Sequence, residues 1–134
     1  MIAVLDASAA VELIFKLTHH DRIAHHLGQA ATVLAPDLYV SEVANAMWKY
    51  SKQARDPKEV DPILVDAAVE LVDEFIPGRE LYREAYVFST QWGHPVYDSM
   101  YLVLARRNAA LLLTMDRRMK ELATKNKIEV LSLK

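Results

Sequence analysis

Four acidic residues carry the chemistry this chain could perform: Asp6, Glu42, Asp98 and Asp116. Asp6 closes the apolar run IAVL, and Asp116 follows the apolar run ALLLT. Glu42 lies one turn into an amphipathic segment that follows Asp37. Asp98 sits in PVYDSMYLVLARR, a stretch with almost no polar face before Arg106 and Arg107. A helix that is apolar nearly all round is a buried helix. A lone buried charge is strongly disfavoured unless something pairs with it or it coordinates a metal. The partial charge of a helix N-terminus, roughly half an elementary unit, is a weak partner.

Taken singly, three of the four acids have ordinary explanations. Asp116 suits a helix N-cap, Asp6 a cap or turn, and Glu42 a solvated helix face. Taken together they pose an electrostatic problem. Two unit charges ~4 Å apart repel by about 4 kcal/mol at an effective dielectric of ~20. A small domain has only ~5–15 kcal/mol of net stability to set against that. Protonation or a bound cation relieves it. Oxygen donors without His or Cys select hard ions, Mg²⁺ or Mn²⁺. Carboxylates holding such ions are an apparatus for phosphodiester hydrolysis.

The acids need a scaffold that brings them to one place. IAVL (2–5), TVLA (32–35) and ALLLT (110–114) are short continuous apolar runs, as expected of strands buried on both faces. IEVL (128–131) is a candidate final strand, and FIPG (75–78) a short strand ending in a turn. Helices are expected over SAAVELIF (8–15), THHDRIAHHLGQ (18–29) and LYVSEVANAMWKYSKQ (38–53), the last capped by Asp37. RDPKEVDP (55–62) is Pro- and charge-rich and suits a linker. Pro62 then opens a helix over 62–75, followed by helices over 79–92, 96–107 and 116–127. Strands alternating with helices argue for a parallel sheet covered on both faces. In such sheets the ligand crevice lies at the carboxyl ends of the strands, where strand order reverses. Asp6 and Asp116 would emerge there together if their strands are neighbours.

Composition sets the outer limits. At 134 residues and 52% hydrophobic, the chain suits a single domain, 1–134, with one sizeable core. The absence of cysteine excludes disulfides and thiolate metal sites. The N-terminus is apolar but has no basic region before it, and Asp6 and Glu12 interrupt it. No uncharged stretch approaches the ~20 residues of a membrane span. A soluble, cytoplasmic protein without a membrane partner is expected. The net charge of −2 means that any nucleic acid must be met by a local patch rather than a basic global field.

IAVLDASAAV, SEVANAMWK, PVYDSMYLVLA and LLLTMD set the whole chain in register with a known family. The chain resembles PIN domains, and within them the VapC-type toxin nucleases of toxin–antitoxin pairs. The resemblance implies a three-layer α/β/α sandwich with a central parallel sheet. It implies an Mg²⁺- or Mn²⁺-dependent endoribonuclease leaving 5′-phosphate and 3′-hydroxyl ends. The family's acidic positions fall on Asp6, Glu42, Asp98 and Asp116. Asp6 and Asp98 would ligate metal directly, with Asp116 and Glu42 completing the shell or orienting water. Ser8 and Thr114 match small hydroxyl positions that steady the carboxylates. Where many members carry another acidic or polar residue after the last Asp, this chain has Arg117, Arg118 and Met119. A homodimer and a small antitoxin partner are also implied, with helices between residues 8 and 50 as the candidate interface.

RNA phosphates would need cations near the acids. Lys49 and Lys52 share a helix with Glu42, Arg117 and Arg118 follow Asp116, and Arg106 and Arg107 end the apolar helix. Lys49, Arg117 and Arg118 are the chosen candidates, against the plainer reading of solvated helix faces. His19, His20, His25 and His26 lack a HExxH-like pair and suit a surface helix better than a zinc site. His94 is close to Asp98 in sequence but suits a loop, and Trp48 and Trp92 suit core or interface. Two competing functions remain at this level. One is a PIN-like scaffold or antitoxin-binding module without catalysis. The other is a doubly wound phosphotransfer domain, for which DAS at 6–8 supplies one acid where a pair is expected.

Overall fold

The computed structural model describes residues 1–53 and 61–133. In chain order the elements are β1 (Ile2–Leu5), α1 (Ala7–Ile14), α2 (His20–Gln29), β2 (Thr32–Pro36) and α3 (Tyr39–Ser51). They continue with α4 (Pro62–Glu70), β3 (Glu74–Ile76), α5 (Tyr82–Trp92), α6 (Val96–Arg107), β4 (Leu111–Leu113) and α7 (Arg117–Lys125). The strands form one parallel sheet in the order β3-β2-β1-β4. Helices flank it on both sides, giving the α/β/α sandwich expected from the sequence.

β1, and β2 after Thr32, are apolar because helices cover both faces of the sheet there. Ala3, Val4, Leu5 and Ala35 are fully enclosed, and Val33 and Leu34 nearly so. α6 lies against β1, β2 and β4 and packs on α5 and α7, so Leu102, Val103, Leu104 and Ala105 are buried. The leucine and valine side chains each contribute roughly 1.5–3 kcal/mol of burial, and Ala105 less. Arg106 and Arg107 end the helix in solvent, as the pattern predicts.

Several boundaries differ from the sequence reading, each for a local reason. α4 stops at Glu70 rather than 75 because Asp73 docks on β2. Its N–H donates to the Val33 carbonyl (2.8 Å) and its carboxylate accepts from the Val33 N–H (2.7 Å). β3 therefore starts at Glu74, one residue before FIPG. A 3₁₀ turn, Gly78–Glu80, then precedes α5, which starts at Tyr82 rather than 79. Asp37 does not cap α3; that position is Leu38, without a side-chain bond. Asp37 instead ties the ends of β2 and β3 together, accepting from the Gly78 N–H and donating its own N–H to Ile76. IEVL makes only one bridge, Leu112 to Val130, with Leu112 bonded to Glu129 and Leu131. Ile128 and Leu131 are both buried, a spacing of three that no strand can keep on one face. Pro62 opens α4 as expected, with Asp61 accepting from the Ile63 N–H. Most of the RDPKEVDP segment lies outside the described residues. Among the described residues, no helix is long and apolar enough to cross a membrane.

Candidate active site

Strand order puts β1 beside β4, with β2 and β3 on its other side. The chain thus reverses its winding between β1 and β4, where a crevice opens at the carboxyl edge. Asp6 leaves β1 and Asp116 follows β4 at that edge.

Asp6 caps α1 and is nearly enclosed. Its Oδ1 accepts from the Ala9 N–H (3.0 Å) and from the Ser8 hydroxyl (2.7 Å), and its Oδ2 accepts from the Thr114 hydroxyl. Each hydroxyl also accepts from the backbone beyond β4: Ser8 Oγ from Met115 (2.9 Å), Thr114 Oγ1 from Asp116 (3.0 Å). Ser8 and Thr114 therefore staple the ends of β1 and β4 together through the carboxylate. Asp116 caps α7, accepting from the Met119 N–H at 2.9 Å. Its ordinary capping role and its place in the cleft coexist.

Glu42 is half-buried in the first turn of α3 and accepts at 2.6 Å from the hydroxyl of Tyr101, a residue of α6. Asp98, in the first turn of α6, is half-buried rather than enclosed, because the fully buried part of the helix begins at Ser99. Its Oδ2 lies 3.0 Å from Nε2 of the buried His94.

The protonation behaviour of these groups shows that they share one electrostatic neighbourhood. Burial pushes the Asp6 carboxyl up from 3.8 to about 6. The bonds from Thr114, Ala9 and Ser8 oppose that rise, and the charge of Asp116 adds to it. Burial also raises Glu42, against the pull of the Tyr101 hydroxyl, with Asp98 and Asp6 raising it further. Asp98 is raised by burial and by Asp116, while His94 pulls it back. Asp6, Glu42 and Asp98 thus each feel the charge of at least one other acid of the set.

A family model for the PIN domain matches residues 3–125. The chain belongs to the PIN-domain family. It is 27% identical over 123 residues to Ribonuclease VapC3 of Pyrobaculum aerophilum, covering 90% of this chain and 94% of that one. The PAE2754 crystal structure from the same organism superposes with a TM-score of 0.68 at 22% identity, covering 90% of this chain and 86% of the other. VapBC2 of Rickettsia felis, bound to a DNA fragment from its promoter, gives 0.65 at 20% identity, covering 98% of each chain. FitAcB of Neisseria gonorrhoeae gives 0.63 at 14%, covering 98% and 97%. At these identities the structures speak for the shared PIN fold.

The chemistry of the PIN cleft suits a hard divalent ion: oxygen donors, and carboxyls displaced upward by burial first and by neighbouring negative charge second. Among the described residues, however, no three His, Asp or Glu side chains stand as a ready-made coordination group. Ligation would require the carboxylates to draw together.

The cations sort differently from the sequence expectation. Arg106 and Arg107 bind Glu84 on α5 (2.8 and 2.6 Å), and Arg107 also donates to the Glu80 carbonyl. They lie eight and nine residues beyond Asp98, roughly 12 Å or more along the helix, so they stand away from the cleft. Arg118 faces Glu121 (3.4 Å) and the Trp92 carbonyl (3.5 Å). Arg117 and Lys49 are exposed, and Lys52 lies over the exposed Trp48 ring. His20 bonds the Leu17 carbonyl and the His25 and His26 rings meet edge to face, in keeping with a surface helix.

Two neighbours of the acids, Tyr101 and Lys120, escaped the sequence reading, and His94, noted beside Asp98 but given a loop role, makes contact with it. Tyr101 holds Glu42, and the half-buried Lys120 lies within electrostatic reach of Asp6. A signal was present for each. His94 is four residues before Asp98, in the corner that leads into α6, while Tyr101 is three after it and Lys120 four after Asp116, spacings that share a helical face.

Proposed function

We propose that this protein is a metal-dependent endoribonuclease of VapC type, the toxin of a toxin–antitoxin pair. What supports this reading is that Asp6 and Asp116 leave the neighbouring strands β1 and β4 at one edge, and that the raised carboxyls of Asp6, Glu42 and Asp98 each feel the charge of another acid of the set. Identity to Ribonuclease VapC3 over most of both chains supports the choice of RNA as substrate. The structural likeness to VapBC2 and FitAcB supports a small antitoxin as partner.

Asp6, Asp98 and Asp116 would hold Mg²⁺ or Mn²⁺. Such an ion lowers the pKa of a bound water and offsets charge on the phosphate and the leaving oxygen. The protein's own groups do the rest. Ser8 and Thr114 fix Asp6 across the sheet edge. Tyr101 holds Oε1 of Glu42, which leaves Oε2 to accept a proton from the attacking water. The raised Glu42 carboxyl makes it a better proton acceptor than a solvated glutamate. Arg117 and Lys49 would meet RNA phosphates at the rim, with Arg118 swinging from Glu121 to join them. Exposed Val40 and Trp48 on α3 and Ile63 on α4 offer apolar surface for the antitoxin or for a second copy in a homodimer.

The test is cleavage of mixed RNA by the protein freed of any antitoxin, in Mg²⁺ or Mn²⁺, in EDTA, and with Asp98→Asn. Cleavage is expected only for the wild type with metal. Activity that survives EDTA or the substitution would overturn the reading. The missing ready-made coordination group favours a second reading, a PIN-like antitoxin-binding module without catalysis. Silence toward every RNA, with antitoxin binding intact, would select it.

A further inference from the structure

We propose that His94 is a positioning residue for Asp98, holding one carboxylate oxygen so that the other is presented to the cleft and to a divalent cation there. This rests on the nuclease reading above, and it concerns a residue outside the four acids and two hydroxyls.

The α5–α6 corner is built to place this ring. Gly93 ends α5 in the left-handed conformation (φ 64°, ψ 43°), its N–H donating to the Ser89 carbonyl at 2.8 Å. Nothing crowds a Cβ there, so conformation rather than space asks for glycine. His94 comes next and precedes Pro95, which restricts it to extended backbone. Pro95 stands at the N-cap of α6. The hydroxyls of Ser89 and Ser99 meet at 2.7 Å and bolt the two helices together beside the corner. The imidazole is thereby held against the first turn of α6, 8% exposed, with Nε2 3.0 Å from Asp98 Oδ2.

Nε2 is covered from solvent and has no aligned hydrogen-bond partner among the described residues, although it is in ion-pair contact with Asp98. The nitrogen is thus not committed to the backbone or to another side chain. A small turn of the Asp98 carboxylate completes the bond, and hydrogen bonds of this kind commonly tighten when ligand arrives. The nitrogen faces the carboxylate and is shielded from water, which suits a partner of the ligand better than a ligand. Outer partners of metal-binding side chains set their orientation.

The experiment titrates the full chain, free of antitoxin, with Mn²⁺ in a calorimeter. Melting curves and RNA cleavage kinetics accompany it for wild type, His94→Phe and His94→Gln. The Phe variant is expected to bind Mn²⁺ about 10–100-fold more weakly. Its KM for RNA should stay unchanged, and its kcat should recover as Mn²⁺ is raised. The Gln variant, whose amide reaches the same oxygen, should recover most of the affinity. If the Phe variant does not fold, His94→Asn, with a shorter amide, takes its place. Mn²⁺ affinity equal to or tighter than wild type in the folded variant would overturn the proposal, as would failure of a folded Gln variant to recover it. A wild type that binds Mn²⁺ and cleaves RNA beside an unaffected variant sinks this inference alone. A wild type that does neither removes the nuclease reading and this inference with it.

Discussion

Replacing Asp6 by Asn should make the metal-free protein more stable at neutral pH, although it removes a group bonded by three donors. Asp6 is nearly enclosed, and burial pushes its carboxyl up to about 6 in the fold from the ordinary 3.8. At about 1.4 kcal/mol per pH decade, ionising it in place costs the fold about 3 kcal/mol by pH 7. The sign follows from proton uptake. Between the two values the native state binds the proton more tightly than the unfolded chain, so stability falls as pH rises through that window. It is greatest, as far as Asp6 is concerned, below about 4. Asn carries no charge and avoids the penalty, while its oxygen still accepts from the Ala9 N–H. Its amide must face a hydroxyl that was donating, from Ser8 or Thr114, and that mismatch costs about 1 kcal/mol. The net expectation at pH 7 is about 1–2 kcal/mol of stabilisation, or roughly 3–7 °C in melting temperature for a chain of this size.

The assay is thermal or urea unfolding of both proteins in EDTA from pH 4 to 8. The Asn variant should gain on the wild type as pH rises from 4 to 7 and show little advantage at pH 4. In Mn²⁺ at ~100 times its dissociation constant, the wild type should recover about 2.7 kcal/mol that the variant does not. A variant less stable than wild type at pH 7 in EDTA would refute the electrostatic argument. So would an advantage that is the same at pH 4 and pH 7.

Tyr101→Phe keeps the ring in the core and removes the hydroxyl that holds Glu42. It should cost about 1 kcal/mol of stability. Because that hydroxyl pulls the Glu42 carboxyl down, its loss should move the acidic limb of the cleavage pH profile to higher pH. Glu84 is held below the usual range by Arg106 and Arg107, against a partial burial that raises it, so its contribution is present above pH 4.5 and fades as pH falls below. Glu84→Gln should cost under about 1 kcal/mol at pH 7, cost progressively less as pH falls below 4.5, and spare RNA cleavage.

How far this fold could be read from its sequence depended on how local the deciding interaction was. IAVL and ALLLT announce themselves because a sheet covered on both faces needs nothing but apolar side chains. That they are neighbours was a condition the sequence left open, and the strand order supplies it, putting Asp6 and Asp116 on one edge. The misplaced boundary at Glu70 is of another kind. Apolar periodicity runs on through Leu71, Val72 and Phe75, and what stops the helix is Asp73 bonding both ways to Val33, forty residues earlier. No window around residue 73 contains that information. Asp37 fails for the same reason, since its carboxylate serves Gly78 across the sheet rather than its own helix.

The site divides along the same line. The acids stand out as candidates because a carboxylate beside an apolar run is costly wherever the chain goes. The groups that make the cost tolerable were hard to see, since a Tyr in a buried helix or a His before a proline is unremarkable until its neighbour is known. Yet each stands three or four residues from an acid, or, in Ser8 and Thr114, two residues from one. Ser8 and His94 serve the acid of their own turn, at no loop-closure cost, whereas Thr114, Tyr101 and Lys120 reach an acid from a distant segment. Searching one helical turn either side of each suspect acid would have added Tyr101 and Lys120 to His94. It would not have found that Tyr101 serves Glu42 rather than the nearer Asp98. That exchange between α6 and α3 is a property of the packed sandwich, and it ties the arrangement of the cleft to the integrity of the core.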